Sequence, residues 1–242
     1  MARDMKYLSL IFLSFFLHNC QQAQEKPAET QIKAAQQDSF SMKSYEQVKQ
    51  DITSHRKLFS TSYFNADEIS RKKITDSIAD YWVNAISKDL FGQWEDTPWD
   101  YNGTTSIPQQ GSIACGYFVT AILQDMDVKL NRIKLSTCAS SEMMKSLTPW
   151  QAIKRLNRLS YTDFNEQLKK YGKGVYVIGL DFHTGIIVND GKENWFIHSN
   201  YIDRMGVTKE AVSISEALQS SKTRWIVSLT GDKDFIERWL RQ

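Results

Sequence analysis

His183-Thr-Gly-Ile-Ile-Val-Asn-Asp190-Gly191-Lys-Glu-Asn-Trp-Phe-Ile-His198 is the stretch on which the fold turns. Two runs rich in β-branched and aromatic residues flank Asp190-Gly191, and Asp-Gly between such runs is a strong hairpin signal. If Asp190-Gly191 is a two-residue loop, Asn189 pairs with Lys192. Counting outward, Ile187 then opposes Asn194, Gly185 opposes Phe196, and His183 opposes His198. A four-residue loop from Asn189 to Lys192 keeps this register. Directly opposed residues have Cβ atoms about 4.5–5.5 Å apart, so the spacing predicts two histidines side by side on one sheet face. The only other histidines are His18 and His55.

Far upstream, Gly111-Ser-Ile-Ala-Cys115-Gly-Tyr-Phe-Val-Thr-Ala-Ile-Leu123 places a cysteine where a loop becomes an apolar helix. A thiol is a good nucleophile only as thiolate, and a helix N-terminus and a nearby imidazolium both lower its pKa. Cys115 is placed for the first effect. His183 would supply the second and carry protons, while His198 would fix the tautomer of His183. Backbone N–H groups at the helix start would meet a developing oxyanion. Gly116 is read as leaving room for substrate beside the sulfur, and Gly185 as doing the same beside the histidines. Two structural alternatives stand beside this reading. One is a disulfide between Cys115 and Cys138, the two cysteines left if Cys20 is modified. The other is a zinc site begun by the histidine pair, but no Cys, Asp or Glu cluster completes it, with Asp181 and Asp203 taken as the only nearby carboxylates. The chemistry therefore calls for no metal and no organic cofactor.

The rest of the chain reads as helices first and strands later, which indicates an α+β fold. A helix is predicted from Ser44, with Tyr45, Val48, Ile52 and Leu58-Phe59 on its apolar side. A second starts near Asn65-Ala-Asp-Glu68 and carries Ile69, Ile74, Ile78, Trp82 and Ile86. His55 reads as a solvated helix residue. Trp94 to Gly111 reads as loop, with Pro98, Gly103, Pro108 and Gly111. The helix from Cys115 is apolar on nearly all sides, so it is expected at the centre of the core. Val128–Leu135 reads as a strand; Ser141–Leu147, Trp150–Leu159 and Tyr161–Tyr171 read as helices. Val175–Leu180, His183–Val188, Asn194–His198, Val207–Ser213 and Arg224–Leu229 read as strands, and Phe235–Leu240 as a closing helix.

The first twenty residues stand apart. Arg3 and Lys6 precede an apolar run, Tyr7 to Leu17, then His18-Asn19-Cys20. The run is short for a membrane span and matches an export signal. Its end resembles a bacterial lipoprotein signal, in which the cysteine, here Cys20, becomes lipidated. Residues 21–43 are polar and lack apolar period, which reads as a disordered tether with an r.m.s. reach of roughly 25 Å. The expected location is the bacterial cell envelope, held to a membrane by the lipid anchor. The net charge is only +2 with Lys and Arg scattered, so no basic stripe argues for nucleic acid.

From about Pro98 to Tyr201 the chain resembles the NlpC-type cell-wall cysteine peptidases, a papain-like superfamily related to CHAP-type amidases. Pro98-Trp-Asp-Tyr-Asn-Gly-Thr104 is similar to the family's Pro-Tyr-x-Trp-Gly-Gly-Thr loop. Ala114-Cys115-Gly116-Tyr-Phe-Val119 is similar to its Asp-Cys-Ser-Gly-Leu-Val nucleophile segment. His183-Thr-Gly-Ile-Ile-Val188 and Phe196-Ile-His198 are similar to its His-Val-Gly-Ile-Tyr run and later Ile-His. The resemblance implies a papain-like domain over residues 93–242, a buried central helix on an antiparallel sheet, with residues 44–92 as an added helical extension. It implies a Cys115, His183, His198 triad that hydrolyses amide bonds in peptidoglycan stem peptides. It also brings the loop with Trp99 and Tyr101 over the thiol as a candidate wall of the substrate cleft. Trp99 stands where the family carries a tyrosine, and Ala114 where it carries an aspartate. The alternative is a catalytically silent envelope lipoprotein that binds wall peptides or a protein partner.

Overall fold

A computed structural model describes residues 43–242. The export signal, Cys20 and all but the last residue of the tether lie outside the described residues. Among the described residues no helix is long and apolar enough to cross a membrane.

Helix α1 is Tyr45–Phe64, and Ser44 caps it in a reciprocal box with Gln47. Helix α2 is Glu68–Asn84, capped by Asp67, and runs on through a π-helical turn, Ala85–Leu90, into α3, Phe91–Trp94. Val48, Ile52, Ile78, Trp82 and Ile86 are buried as their spacing predicts, and His55 is exposed. Leu58 and Ile69 are exposed instead, at the margins of the apolar stripes. The extended loop 95–114 leads into α4, Cys115–Asp125, whose Phe118, Val119, Ile122 and Leu123 are all buried.

Two expectations fail between α4 and the strands. Val128–Leu135 is not a strand: Asn131 accepts a hydrogen bond from Lys134 N and caps a short helix, α5, Arg132–Ser136. Helix α6 is Ser140–Leu147. Trp150–Leu159 is not a helix: after one 3₁₀ turn the chain forms β1, Lys154–Arg155, which pairs with the last strand. Sheet-edge pairing overrides the helix-like spacing of Trp150, Ile153 and Leu156. Helix α7, Tyr161–Lys170, is capped by Ser160.

The remaining strands are β2, Gly174–Gly179, β3, Thr184–Asn189, β4, Asn194–Asn200, β5, Gly206–Ala211, and β6, Trp225–Ser228. A short α8, Glu216–Ser220, precedes β6, and α9, Lys233–Leu240, follows it. All strand pairs are antiparallel, in the order β1-β6-β2-β3-β4-β5. The fold is α+β.

Strand alternation divides the sheet into two buried faces. Val175, Val177, Ile186, Val188 and Ile197 face α4, together with buried residues of α1, α2 and α9. Tyr176, Ile178, Ile187 and Phe196 point the other way, onto Phe164 and Leu168 of α7 and Leu218 of α8. The N-terminal helices thus share one core with α4.

Candidate active site

The hairpin that carries the histidines forms, but two residues out of the expected register. Asn189 pairs with Asn194 and Ile187 with Phe196. The turn is centred on Gly191-Lys192 rather than on Asp190-Gly191. The Asp190 carboxylate explains the shift: it accepts from the backbone N–H of Lys192 and of Glu193, both at 2.8 Å, and from Trp195 Nε1–H at 3.0 Å. Asn189 Oδ1 accepts from Gly191 N at 2.8 Å, and Gly191 takes the left-handed φ of 92°. Carried outward, this register sets Gly185 opposite His198 and leaves His183, one residue before β3, as a diagonal neighbour. A shift of two keeps every side chain on its face, so the histidines still meet. His183 Nε2 lies 2.7 Å from His198 Nδ1.

The pair is packed hard. His198 is wholly buried and His183 nearly so. His198 lies flat on Phe196, ring centroids 4.0 Å apart, and the Tyr201 ring stands edgewise to His183 at 5.0 Å. Gly185 serves this contact and not a substrate. A Cβ there would come within 2.5 Å of the Phe196 ring and 2.9 Å of His198 Cβ.

Sequence reading missed the third member of the cluster. Glu210 on β5 places Oε1 3.2 Å from His198 Nε2. His198 pairs with Thr208, so Glu210 is its diagonal neighbour on the same face. The only signal in the sequence was a lone carboxylate in a strand that alternates. Asp181, by contrast, is spent on the backbone N–H groups of Lys222 and Thr223, and Asp203 lies in a left-handed turn, φ 49°.

Burial, with the His198 ring as the second cause, drives His183 well below the ordinary 6.5. Burial also lowers His198, against the opposing pull of Glu210. Burial alone would raise the Glu210 carboxyl, but hydrogen bonds from His198 and Ser215 outweigh it and hold the group below 4.5. At neutral pH both rings are therefore uncharged beside a carboxylate.

Cys115 is the first residue of α4, as expected, and half-buried. Its helix start has no side-chain cap, because the N-cap position is Ala114. The first N–H groups of a helix lack intrahelical partners. Here those of Cys115 and Gly116, joined by that of Thr184, act on the sulfur and favour the thiolate. Burial outweighs them, and the thiol is pushed above its ordinary value. The resting Cys115 is thus a neutral thiol, contrary to the activation expected from the helix terminus. Cys115 and Cys138 are both free, so no disulfide joins them.

Cys115 and His183 border one cleft of about 710 Å³, which runs past Ser140, Leu180, Phe182 and Thr223. Helix α4 packs on one face of the sheet, whereas His198 and the ring bonded to it share the face of Phe196. No hydrogen bond joins the Cys115 sulfur to either histidine among the described residues. Gly116 lines the cleft beside Cys115, and a Cβ there would stand 2.2 Å from Ser136 O, so the glycine also lets α5 pack against α4. Trp99 and Tyr101 do not line the cleft. Their loop lies along the segment before Cys115, with Ile113 N donating to Pro98 O and Ala114 N to Gly103 O. Trp99 packs towards Tyr201, centroids 6.5 Å apart, and so supports the ring that braces His183. Tyr101 is 82% exposed. No group of three His, Cys, Asp or Glu suited to hold a metal exists among the described residues.

Compared with protein-family models, with curated proteins and with solved structures, the chain matches none.

Proposed function

We propose that the chain is a thiol hydrolase of the cell envelope, a peptidase or amidase with a papain-like arrangement, and that Cys115 is its nucleophile and His183 its base. The observation that carries the reading is the shared cleft. A cysteine at an uncapped helix start borders the same cavity as a histidine tied by a second histidine to a half-buried carboxylate. In this reading the resting pair is neutral. As the sulfur attacks a carbonyl carbon, the S–H proton passes to His183 Nδ1, and the C–O π electrons move to oxygen. The helix-start N–H groups stabilise that oxyanion. Collapse expels the amine, which takes the proton from His183 and leaves a thioester. Water then attacks the thioester, His183 takes its proton and returns it to the departing sulfur, and a carboxylic acid leaves.

The proposed substrate class, amide bonds of peptidoglycan stem peptides, comes from the resemblance in the loop, nucleophile and histidine segments. It suits an envelope location reached through the export signal and a lipid on Cys20. The test is digestion of purified peptidoglycan with fragments identified by mass. New peptide ends should appear with the wild type and vanish with Cys115→Ala. Equal release by Cys115→Ala would refute the reading.

One observation favours the second reading, a silent envelope lipoprotein that binds wall peptides or a partner protein. Burial raises the thiol above its ordinary value, and no hydrogen bond joins it to His183 among the described residues. In that case Cys115→Ala would bind peptidoglycan fragments as well as the wild type does, and neither would cleave them.

A further inference from the structure

We infer that Glu210 is a positioning residue which, acting through His198, holds His183 in the tautomer that leaves the lone pair on Nδ1. The inference rests on the hydrolase reading only for the use to which that lone pair is put.

The argument follows the hydrogens. An ionised carboxylate only accepts. Glu210 Oε1, 3.2 Å from His198 Nε2, therefore requires the hydrogen on that nitrogen. A neutral imidazole carries one N–H, so His198 Nδ1 is bare and accepts. The nitrogen 2.7 Å from it, His183 Nε2, must then donate. The single hydrogen of neutral His183 is thereby fixed at Nε2, and Nδ1 is left as a base. Nδ1 has no hydrogen-bond partner among the described residues, and it is not among the sealed, unpartnered buried polar atoms. The ring borders the cleft.

The chain of two rings has a second direction. A donor at position 210 would turn His198 round, so that its Nδ1–H donates to His183 Nε2 and His183 carries its hydrogen on Nδ1. That ring can take no proton from a thiol at Nδ1. Packing does not choose between the directions, because both use the same ring positions against Phe196 and Tyr201. The acceptor-only character of Glu210 does.

The test uses the full chain labelled with nitrogen-15 histidine, as wild type, Glu210→Gln and Glu210→Asp. Signals of the four histidines are assigned through His-to-Asn variants. The wild type should show a pyridine-like Nδ1 and a pyrrole-like Nε2 on His183. Glu210→Gln keeps the shape but supplies a group that both donates and accepts, so the opposite tautomer should gain population. Iodoacetamide labelling of Cys115 should fall by at least about tenfold, because His183 in the wrong tautomer cannot take the thiol proton at Nδ1. Labelling of Cys138 should not change, and Glu210→Asp should recover part of the Cys115 rate. A wild-type His183 with its hydrogen on Nδ1 would overturn the inference. So would Glu210→Gln with tautomer and rate unaltered. If the tautomer is as stated but wild-type Cys115 labels no faster than Cys138, Glu210 keeps its role over His183 and the hydrolase reading fails. Should Glu210→Gln not fold, the wild-type spectrum decides alone.

Discussion

Lowering the pH from 7 to 5 should destabilise the protein through the buried histidine pair, and replacing Asp125 should make the loss steeper. His183 is held below its unfolded value. The unfolded chain therefore takes up the proton first as pH falls, and stability is lost through the window just below 6.5. With the native ring neutral throughout, linkage puts the loss at about 2 kcal/mol between pH 7 and 5. His198 is shifted in the same direction and adds at most the same again. Asp125 has the opposite sign. It is buried between the Tyr45 hydroxyl at 2.7 Å and Trp94 Nε1–H at 2.9 Å, and burial raises its carboxyl to about 6. The native state takes its proton first, so acidification returns about 1 kcal/mol over the same range. The net loss is then about 1–3 kcal/mol in the wild type and about 2–4 kcal/mol in Asp125→Asn. Urea unfolding at pH 7, 6 and 5 measures both slopes. Stability in Asp125→Asn that holds level or rises towards pH 5 would mean that the rings protonate freely in the native state. The neutral relay would then be wrong.

Three further outcomes follow from the packing and the cleft. Gly116→Ala should lower stability by about 1–3 kcal/mol despite alanine's better helix propensity, because the new methyl meets a backbone oxygen; an unchanged melting temperature with lost turnover would restore the substrate-room explanation. Tyr101→Phe should leave stability and turnover within about threefold, the effect expected of an exposed side chain with no partner, and a loss of turnover beyond tenfold would return Tyr101 to the site. His183→Ala should abolish turnover on peptidoglycan, whereas His198→Ala should reduce it less, since orienting a base is secondary to being one; the reverse order, with circular dichroism unchanged, would exchange their roles.

The meander and the helices were legible because their signals are local. Ser44 and Asp67 mark helix starts, and the β-branched-rich runs Val175–Leu180 and His183–Val188 mark strands. The meeting of His183 and His198 survived a wrong register because the error was an even number of residues. What moved the register was side-chain capping of the turn by Asp190, which counting by pairs does not weigh. Glu210 was not legible, because its partner is 12 residues away across a strand pair and nothing local marks it. The sheet face was available but unused: with Ile186 and Val188 turned to α4, His183 had to lie with Ile187 on the other side. The packing role of Gly116 was not legible, because a glycine beside a cleft suits open space and close packing equally well, until the neighbour, here Ser136, is known.

The claim that Cys115 is a base-assisted nucleophile is tested most directly by site-resolved alkylation of the full chain with iodoacetamide at pH 7, read by mass at Cys115 and Cys138. Both thiols are raised by burial, so neither should react fast unaided. The account predicts labelling of Cys115 more than about tenfold faster than Cys138, reduced to the Cys138 rate or below in His183→Ala, because thiolate supply controls the rate. Labelling of Cys115 that is slower than that of Cys138, or that is untouched by loss of His183, would contradict it.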